Sequence, residues 1–472
     1  MKKYSLAVSV MAVFLTVGSA AAQRPDTAST VTVIEGATVI DVVSGQPIRD
    51  AVIVIEGTTI RGVGRRGSVP VPANAQRINA AGKTIIPGIF CVHGHLAQTE
   101  GMERKQEFYN RQRIQRDANA YLYYGVTHMV SLGIDLEPMQ GFLADQRAGK
   151  AGGARLYSGG LGFAAKDGWQ PGGYQGIHRP TTVAEAREMV RKEIAGKKPD
   201  VLKVWVDDGN GQLPKLSPEL YGAIIDEGHK QNVRVFAHTV KLEDAKELIR
   251  RGIDALAHSV RDQEVDAEFL KLAQDKGVTQ MATMAGMEGI LAYAAGATFL
   301  NDPGLPVLFP AAALRTLGSK QYQEQMAKDP NLAATRNQYQ LALKNTAKIA
   351  AAGIPLALGT DSGAPGRFQG FWEHREMELL VRAGLTPMQA IQVATINGAR
   401  LFRVDKQYGS LQAGKVADLI VLNADPLADI TNSRKIDSVW MNGKRVDRAA
   451  LGTYGAGSNG EVFNIRQASP GR

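Results

Sequence analysis

Six residues scattered along the chain carry side chains that can hold a divalent cation or move a proton: His93, His95, Lys203, His238, His258 and Asp361. His93 and His95 close the stretch Lys83–His95, KTIIPGIFCVHGH. If Ile89–His95 is a strand, residues two apart share a face, so both imidazoles aim the same way and Gly94 keeps the far face small. Two imidazoles on one face form half of a metal site. Lys203 lies inside the apolar run Val201–Val206, where an ammonium needs a partner. His238 ends RVFAH, His258 ends DALAH, and Asp361 follows ALGT. One core histidine bonded to a backbone group is routine. Six such residues at or near strand ends instead point to one convergent site.

The elements that must position them alternate in type. Short apolar strands are expected at Gly88–Val92, His128–Leu132, Arg155–Ser158, Val201–Val206, Val233–Ala237, Ala255–Ala257, Val278–Ala282 and Pro355–Leu358. Between them run amphipathic stretches such as Val183–Ala195 and Leu242–Gly252. This pattern predicts βα units and a parallel sheet, and eight strands favour an α/β fold with a (β/α)8 barrel over 86–402. In that barrel the C-terminal strand ends carry the active site. Glycines and prolines break the alternation near 283–340, predicting a partly helical excursion over the barrel mouth.

Both chain ends read as β structure. Val31–Ile40, Ala51–Glu56 and Thr59–Val63 are matched by Ala417–Leu422 and Ser438–Met441, and Asn442-Gly443 is a hairpin signal before Lys444–Val446. Residues 23–85 and 403–450 are therefore expected to form a small β-sandwich domain, with 451–472 as a tail. Lys2 and Lys3, the apolar run Leu6–Val17 and Ala20-Ala21-Ala22 predict a signal peptide over 1–22, cut before Gln23. The run is short for a membrane span, no cysteine stands near the cut, and no membrane anchor is expected. The mature chain is expected to be exported, periplasmic or secreted. Cys91 is the single cysteine, which excludes an intramolecular disulfide. Alternation places it on the face of His93 and His95, one position deeper, as a core residue with no base marked for it.

The 472 residues are 44% hydrophobic, enough for two cores. The formal charge of +9 falls to +7 without Lys2 and Lys3, and it is spread along the chain. No basic block is interleaved with aromatics, so nucleic-acid binding has no support. A small-molecule substrate is the expected partner, and a homo-oligomer is compatible with the sequence.

The order H-x-H, Lys, His, His, Asp resembles the amidohydrolase superfamily of metal-dependent hydrolases. IIPGIFCVHGH is similar to its first-strand motif, LYYGVTHMVSLG to its second strand, VLKVWVDD to its lysine strand, LALGTDSG to its aspartate strand, and GSLQAGKVADLIVL to its C-terminal segment. The similarity is greatest to the imidazolonepropionase-related and prolidase-like branch. The resemblance implies one or two divalent ions, zinc being the best match to these ligands, and hydrolysis of an amide or related bond. His93, His95 and Asp361 would hold one ion and His238 and His258 a second, with Lys203 carboxylated in a binuclear site. A divalent ion brings the pKa of its water to roughly 7. Asp361 can take that proton and pass it to the leaving amine. Two departures stand out. Cys91 occupies the position of a usual Asp, and Trp169–Tyr174 lacks the Gly-Gly-His of many relatives.

Other residues near the mouth read in two ways. Trp205 shares the inward face with Lys203 and either touches substrate or caps the core. Arg261 either binds a substrate carboxylate or pairs at the surface with Asp262 or Asp266. His128 reads as a core histidine, and His178, His229 and His374 as surface ones. Ser362 lacks a G-x-S-x-G elbow, which argues against a serine hydrolase. The basic balance and Arg261 favour an N-acyl amino acid or an Xaa-Pro-like dipeptide as substrate. A lactone, carbamate or phosphate ester on the same site remains an alternative, as does a non-catalytic metal-binding protein.

Overall fold

A computed structural model describes residues 31–169 and 174–452. The expected signal peptide, and all but the first two residues of the expected tail, lie outside the described residues.

Eight staves form a closed ring. Ile89–Gly94, Val126–Ser131 and Arg155–Ser158 pair in parallel. So do Val201–Trp205, Arg234–His238, Ala255–Ala257 and Thr279–Met281. Parallel bridges join Phe163 to Val204, Gln280 to Leu356 and Gly94 to Ser362. Residues 355–362 are thus the eighth stave, tied to the first by Val92 N to Leu358 O and Thr360 N to His93 O. The result is a (β/α)8 barrel. Phe90, Val92, Val130, Leu132, Phe236 and Met281 fill its interior. Cys91, Met129, Leu202 and Val235, at alternate positions on the same strands, pack against the helices. This two-residue period is that of strands covered on both faces.

The first strand departs from strict alternation. Cys91 pairs with Met129, but Gly94 pairs with Ser131, so three steps on one strand oppose two on its neighbour. Such a bulge re-aims side chains. Val92 faces the barrel interior and His93 still lines the mouth. Cys91 therefore does not share the histidines' face, as simple alternation predicted. It points to the helix layer, where its thiol donates to Glu373 Oε1 at 3.3 Å.

The helices begin and end on local chemistry. Thr182 Oγ1 accepts from Glu185 N to start Val183–Lys197. Asp266 caps Ala267–Lys276, which ends at Gly277 in the left-handed region. Between the seventh and eighth staves the chain is mainly helical, with Ala285–Ala295, Ala311–Leu317, Lys320–Ala327 and Leu332–Ala351 its longer helices. Among the described residues, no helix is long and apolar enough to cross a membrane.

The two chain ends share one eight-stranded sheet. Thr84–Pro87 is its seam, parallel to Val31–Asp41 and antiparallel to Leu419–Leu422. A bridge from Thr59, in the end strand Thr59–Arg65, to Val416, just before Leu419–Leu422, folds the sheet back on itself over Ile34, Ile53, Ile85, Leu419 and Trp440. The hairpin signal folds as a tight turn between Ile436–Met441 and Lys444–Arg445, with Asn442 at φ 52°. Because Thr84–Pro87 runs almost directly into Ile89–Gly94, this sheet anchors the root of the strand that carries His93.

Three histidines read as surface residues differ in setting. His229 is exposed and pairs with Asp254 at 2.8 Å. His178 is half-buried, bonded to Glu193 at 2.9 Å. His374 is fully buried, contrary to the sequence reading, between Tyr124 O at 2.7 Å and Ser433 Oγ at 2.9 Å. Its helix, Phe371–Arg382, packs the barrel against the C-terminal segment, and the imidazole satisfies groups from both. His128 is a buried core residue stacked on Phe90 at 4.7 Å.

Candidate active site

His93 and His95 leave the first strand at the barrel mouth, and Asp361 meets them from the eighth. One donor atom from each of the three lies within 4.8 Å of the others. His95 Nε2 is 2.8 Å and His93 Nε2 is 3.6 Å from Asp361 Oδ1. Arg367 Nη1 donates to the other carboxylate oxygen at 2.6 Å. Burial alone would raise the Asp361 carboxyl, but the His95 hydrogen bond and the Arg367 charge outweigh it and hold it well below its ordinary range. Burial drives His93 well below its usual value and lowers His95, so neutral imidazoles are favoured, the form that ligates metal.

Glycine makes this approach possible at two positions. A Cβ on Gly359 would stand 2.8 Å from His93 Cβ. A Cβ on Gly94 would run into the Tyr121 hydroxyl and reach 2.8 Å from Met129 Cε. Left-handed backbone supplies the rest: Asp361 has φ 57°, His258 φ 75° and Thr283 φ 47°. Such strain in non-glycine residues concentrates at functional sites.

Lys203 enters from the fourth strand, with Val201 and Trp205 on the same inward face. It is 1% exposed, and its Nζ has no hydrogen-bond partner among the described residues. Burial pushes the amine down to about 7 against the attraction of Asp361. His238 and His258 come from the fifth and sixth strands, with ring centroids 4.5 Å apart and His258 5.1 Å from His93. They stand outside the 4.8 Å donor set. His238 Nε2 bonds Asp207 Oδ2 at 2.7 Å, and His258 Nδ1 bonds Thr283 Oγ1 at 2.7 Å. Such contacts fix ring orientation.

The donor set fits a divalent cation. Two imidazoles and a carboxylate suit zinc-like ions. His93 Nδ1, His95 Nδ1 and Lys203 Nζ are buried polar atoms unmatched by any group among the described residues. An unmatched group of this kind costs roughly 1–3 kcal/mol.

His93, His95, His238, His258 and Asp361 line a cavity of about 300 Å³. Trp205 and Arg261 line it too. Arg261 does not form the expected surface pair: Asp262 caps Leu242 N at 3.0 Å and Asp266 binds Lys246 at 2.6 Å. Sequence reasoning missed Arg104, Arg367, Trp169 and Asp207. Trp169 stacks on His238 at 6.1 Å, next to residues 170–173, which lie outside the described residues. Asp207, two positions beyond Trp205 in VWVDD, had a readable signal in its place at a strand end. Arg104, in a short hairpin strand after the first stave, and Arg367, in the loop after the eighth, had none. Ser362 is buried and bonds Tyr121 and Glu373 behind the site.

Residues 84–446 match the sequence profile of the Amidohydrolase family. An ochratoxinase from Aspergillus niger is 32% identical over 288 residues, 58% of this chain and 51% of that protein. The chain thus spans about half the length of this curated relative. An imidazolonepropionase from Christiangramia forsetii is 33% identical over 103 residues, 21% of this chain and 25% of that protein. Among solved structures, a Xaa-Pro dipeptidase superposes with a TM-score of 0.71 at 22% identity, covering 88% of this chain and 100% of that one. A putative prolidase from Bifidobacterium longum gives 0.70 at 24% identity, covering 90% and 98%. These superpositions establish the shared fold.

Proposed function

The chain belongs to the amidohydrolase family, and on that premise we propose that it is an exported, metal-dependent hydrolase cleaving the amide bond of an N-acyl amino acid or dipeptide. The observation that carries this reading is the donor triad of His93, His95 and Asp361 at a cavity of about 300 Å³, with the buried, unpartnered Lys203 amine on the neighbouring strand face. His93, His95 and Asp361 would hold one zinc or similar ion. His238, His258 and a carboxylated Lys203 would hold a second. A metal held there would supply activation of water at neutral pH and polarisation of the substrate carbonyl.

The chain's own residues do the remainder. Asp361, oriented by Arg367, takes a proton from the attacking water and returns it to the leaving amine. Water and amide become a carboxylic acid and an amine. Asp207 and Thr283 hold the rings of His238 and His258. Carboxylation of Lys203 joins a neutral amine to carbon dioxide with release of one proton, replacing a cation that would repel metal by an anion. Burial without a partner favours that neutral amine. Trp205, Met287 and Ile290 give an apolar wall for an acyl or side-chain group, and Arg261 faces a substrate carboxylate.

The test is elemental analysis combined with a panel of dipeptides, N-acyl amino acids, lactones, carbamates and phosphotriesters. One or two divalent ions per chain and chelator-sensitive amide turnover are expected. Metal-replete protein without bound metal sinks the reading. Turnover confined to lactones, carbamates or phosphate esters replaces the amide, and no turnover of any compound leaves a binding protein. Export is tested by N-terminal sequencing of the mature protein, with Gln23 expected first.

A further inference from the structure

Three guanidinium groups, those of Arg104, Arg261 and Arg367, face the same cavity. Arg367 is neutralised by Asp361 at 2.6 Å. The other two are not. Arg104 donates its Nε to Gln98 Oε1 at 2.9 Å, a neutral acceptor on a buried side chain. Among the described residues no carboxylate lies within 4.0 Å of Arg104 or Arg261. Asp207, the carboxylate that acts most on Arg261, is already engaged by His238 Nε2 at 2.7 Å and Gly209 N at 2.8 Å.

The two uncompensated groups reach the cavity from segments that follow different strands, the first and the sixth. Arg104 belongs to the hairpin of Thr99–Glu100 and Glu103–Arg104 that follows the first strand, and its charge acts on His95. Arg261 follows the sixth strand, and its charge acts on His238 and Asp207. Arg367 lies near both. Both residues are half-buried at the cavity, where a guanidinium partly withdrawn from water gains from a counter-ion. Planar, bidentate recognition of carboxylates is what arginine does best.

Resting on the amide-hydrolase reading, we infer that the substrate is a dianion, with one carboxylate-like group on each side of the scissile amide, held by Arg104 and Arg261 separately. The class is an N-acyl amino acid whose acyl part carries its own acidic group. A ligand with a single carboxylate leaves one of the two cations without a partner.

Four matched amides test this: N-succinyl-L-leucine, N-butanoyl-L-leucine, N-succinyl-3-methylbutylamine and N-butanoyl-3-methylbutylamine. They carry both carboxylates, either one, or none. With the full mature protein in its metal-replete state, kcat/KM for the dicarboxylate is expected to exceed that of each monocarboxylate by about ten- to a hundredfold. Arg104→Gln should abolish the preference for one carboxylate and Arg261→Gln the preference for the other. Arg104→Lys and Arg261→Lys keep the charge and should recover part of it, which a merely structural role would not give. Circular dichroism melting verifies that each variant folds. If amides are cleaved but the dicarboxylate has no advantage, or one variant removes both preferences, the inference is overturned and the amide reading stands. If no amide is cleaved, the amide reading fails, and quenching of the cavity tryptophans Trp169 and Trp205 by the same four compounds decides. About tenfold tighter binding of the dicarboxylate, lost in parts in the two variants, sustains the dianion site, whereas equal binding overturns it.

Discussion

Asp361 concentrates the chemistry of the site in one residue. Its Oδ1 faces His93 and His95, its Oδ2 is held by Arg367, and its backbone sits at φ 57°. Asn at this position keeps an oxygen ligand but cannot shuttle a proton. Asp361→Asn is expected to lower kcat by roughly 10²–10⁴ while elemental analysis still finds metal. Near-full activity in this variant would mean that another group moves the proton. Arg261 lies at the rim of the chemistry and not within it. Arg261→Ala is expected to raise KM for carboxylate-bearing substrates by roughly ten- to a hundredfold with kcat little changed, the loss of a charged hydrogen bond. An unchanged KM would remove Arg261 as an anchor without touching the hydrolytic reading.

The first and eighth strands act as one element. Glu373, on helix Phe371–Arg382, accepts from Thr360 Oγ1 at 2.6 Å, Ser362 Oγ at 3.0 Å and Cys91 Sγ at 3.3 Å. One buried carboxylate thus ties the residues flanking Asp361 to the strand that carries His93. Through Cys91 it also makes a contact behind the site. The fit of the two strands depends on Gly359, whose added methyl would press on His93 Cβ. Gly359→Ala is expected to cost about 1–3 kcal/mol by overpacking and to weaken metal binding by displacing His93. Thermal melting and metal titration read the two effects, and a variant that matches wild type in both would show that the strands separate easily. The thiol of Cys91 is 0% exposed, and burial raises its pKa well above the ordinary value. It should stay inert to aromatic disulfide reagents until the barrel unfolds.

Over the whole molecule, buried carboxyl groups set the response to pH. Glu376 accepts from Met284 N at 2.9 Å and Ala285 N at 2.7 Å, yet burial pushes it from 4.5 up to about 8. Between those values the folded protein keeps a proton that the unfolded chain has released. The stability it contributes is therefore full below the unfolded value and is lost as pH rises through about 8. Glu376→Gln carries no such proton. Its melting temperature should rise relative to wild type as the pH is taken from about 5 to about 8, and a constant difference would show that the group is already ionised in the fold. Removing metal is the second global lever. A ligand that binds only the folded state stabilises it by mass action, so chelation should lower the melting temperature as well as activity.

The eight staves were legible because strand periodicity and the βα alternation are local: each apolar run declares itself within a few residues. His93, His95, Lys203, His238, His258 and Asp361 stood out because each sits in or beside such a run, whereas the gathering of His93, His95 and Asp361 within 4.8 Å is a product of barrel closure. Three facts lay beyond local pattern. The bulge between Cys91 and Gly94 reverses a face assignment, and only pairing with Val126–Ser131 reveals it. His374 is buried because Tyr124 and Ser433, far away in sequence, converge on it. Arg104, Arg261 and Arg367 share one cavity because loops from three different strands meet there. Alternation along a chain is set by bonds between neighbours. Which charges face one another across a barrel mouth is set by ring closure and loop packing, which only the folded chain possesses.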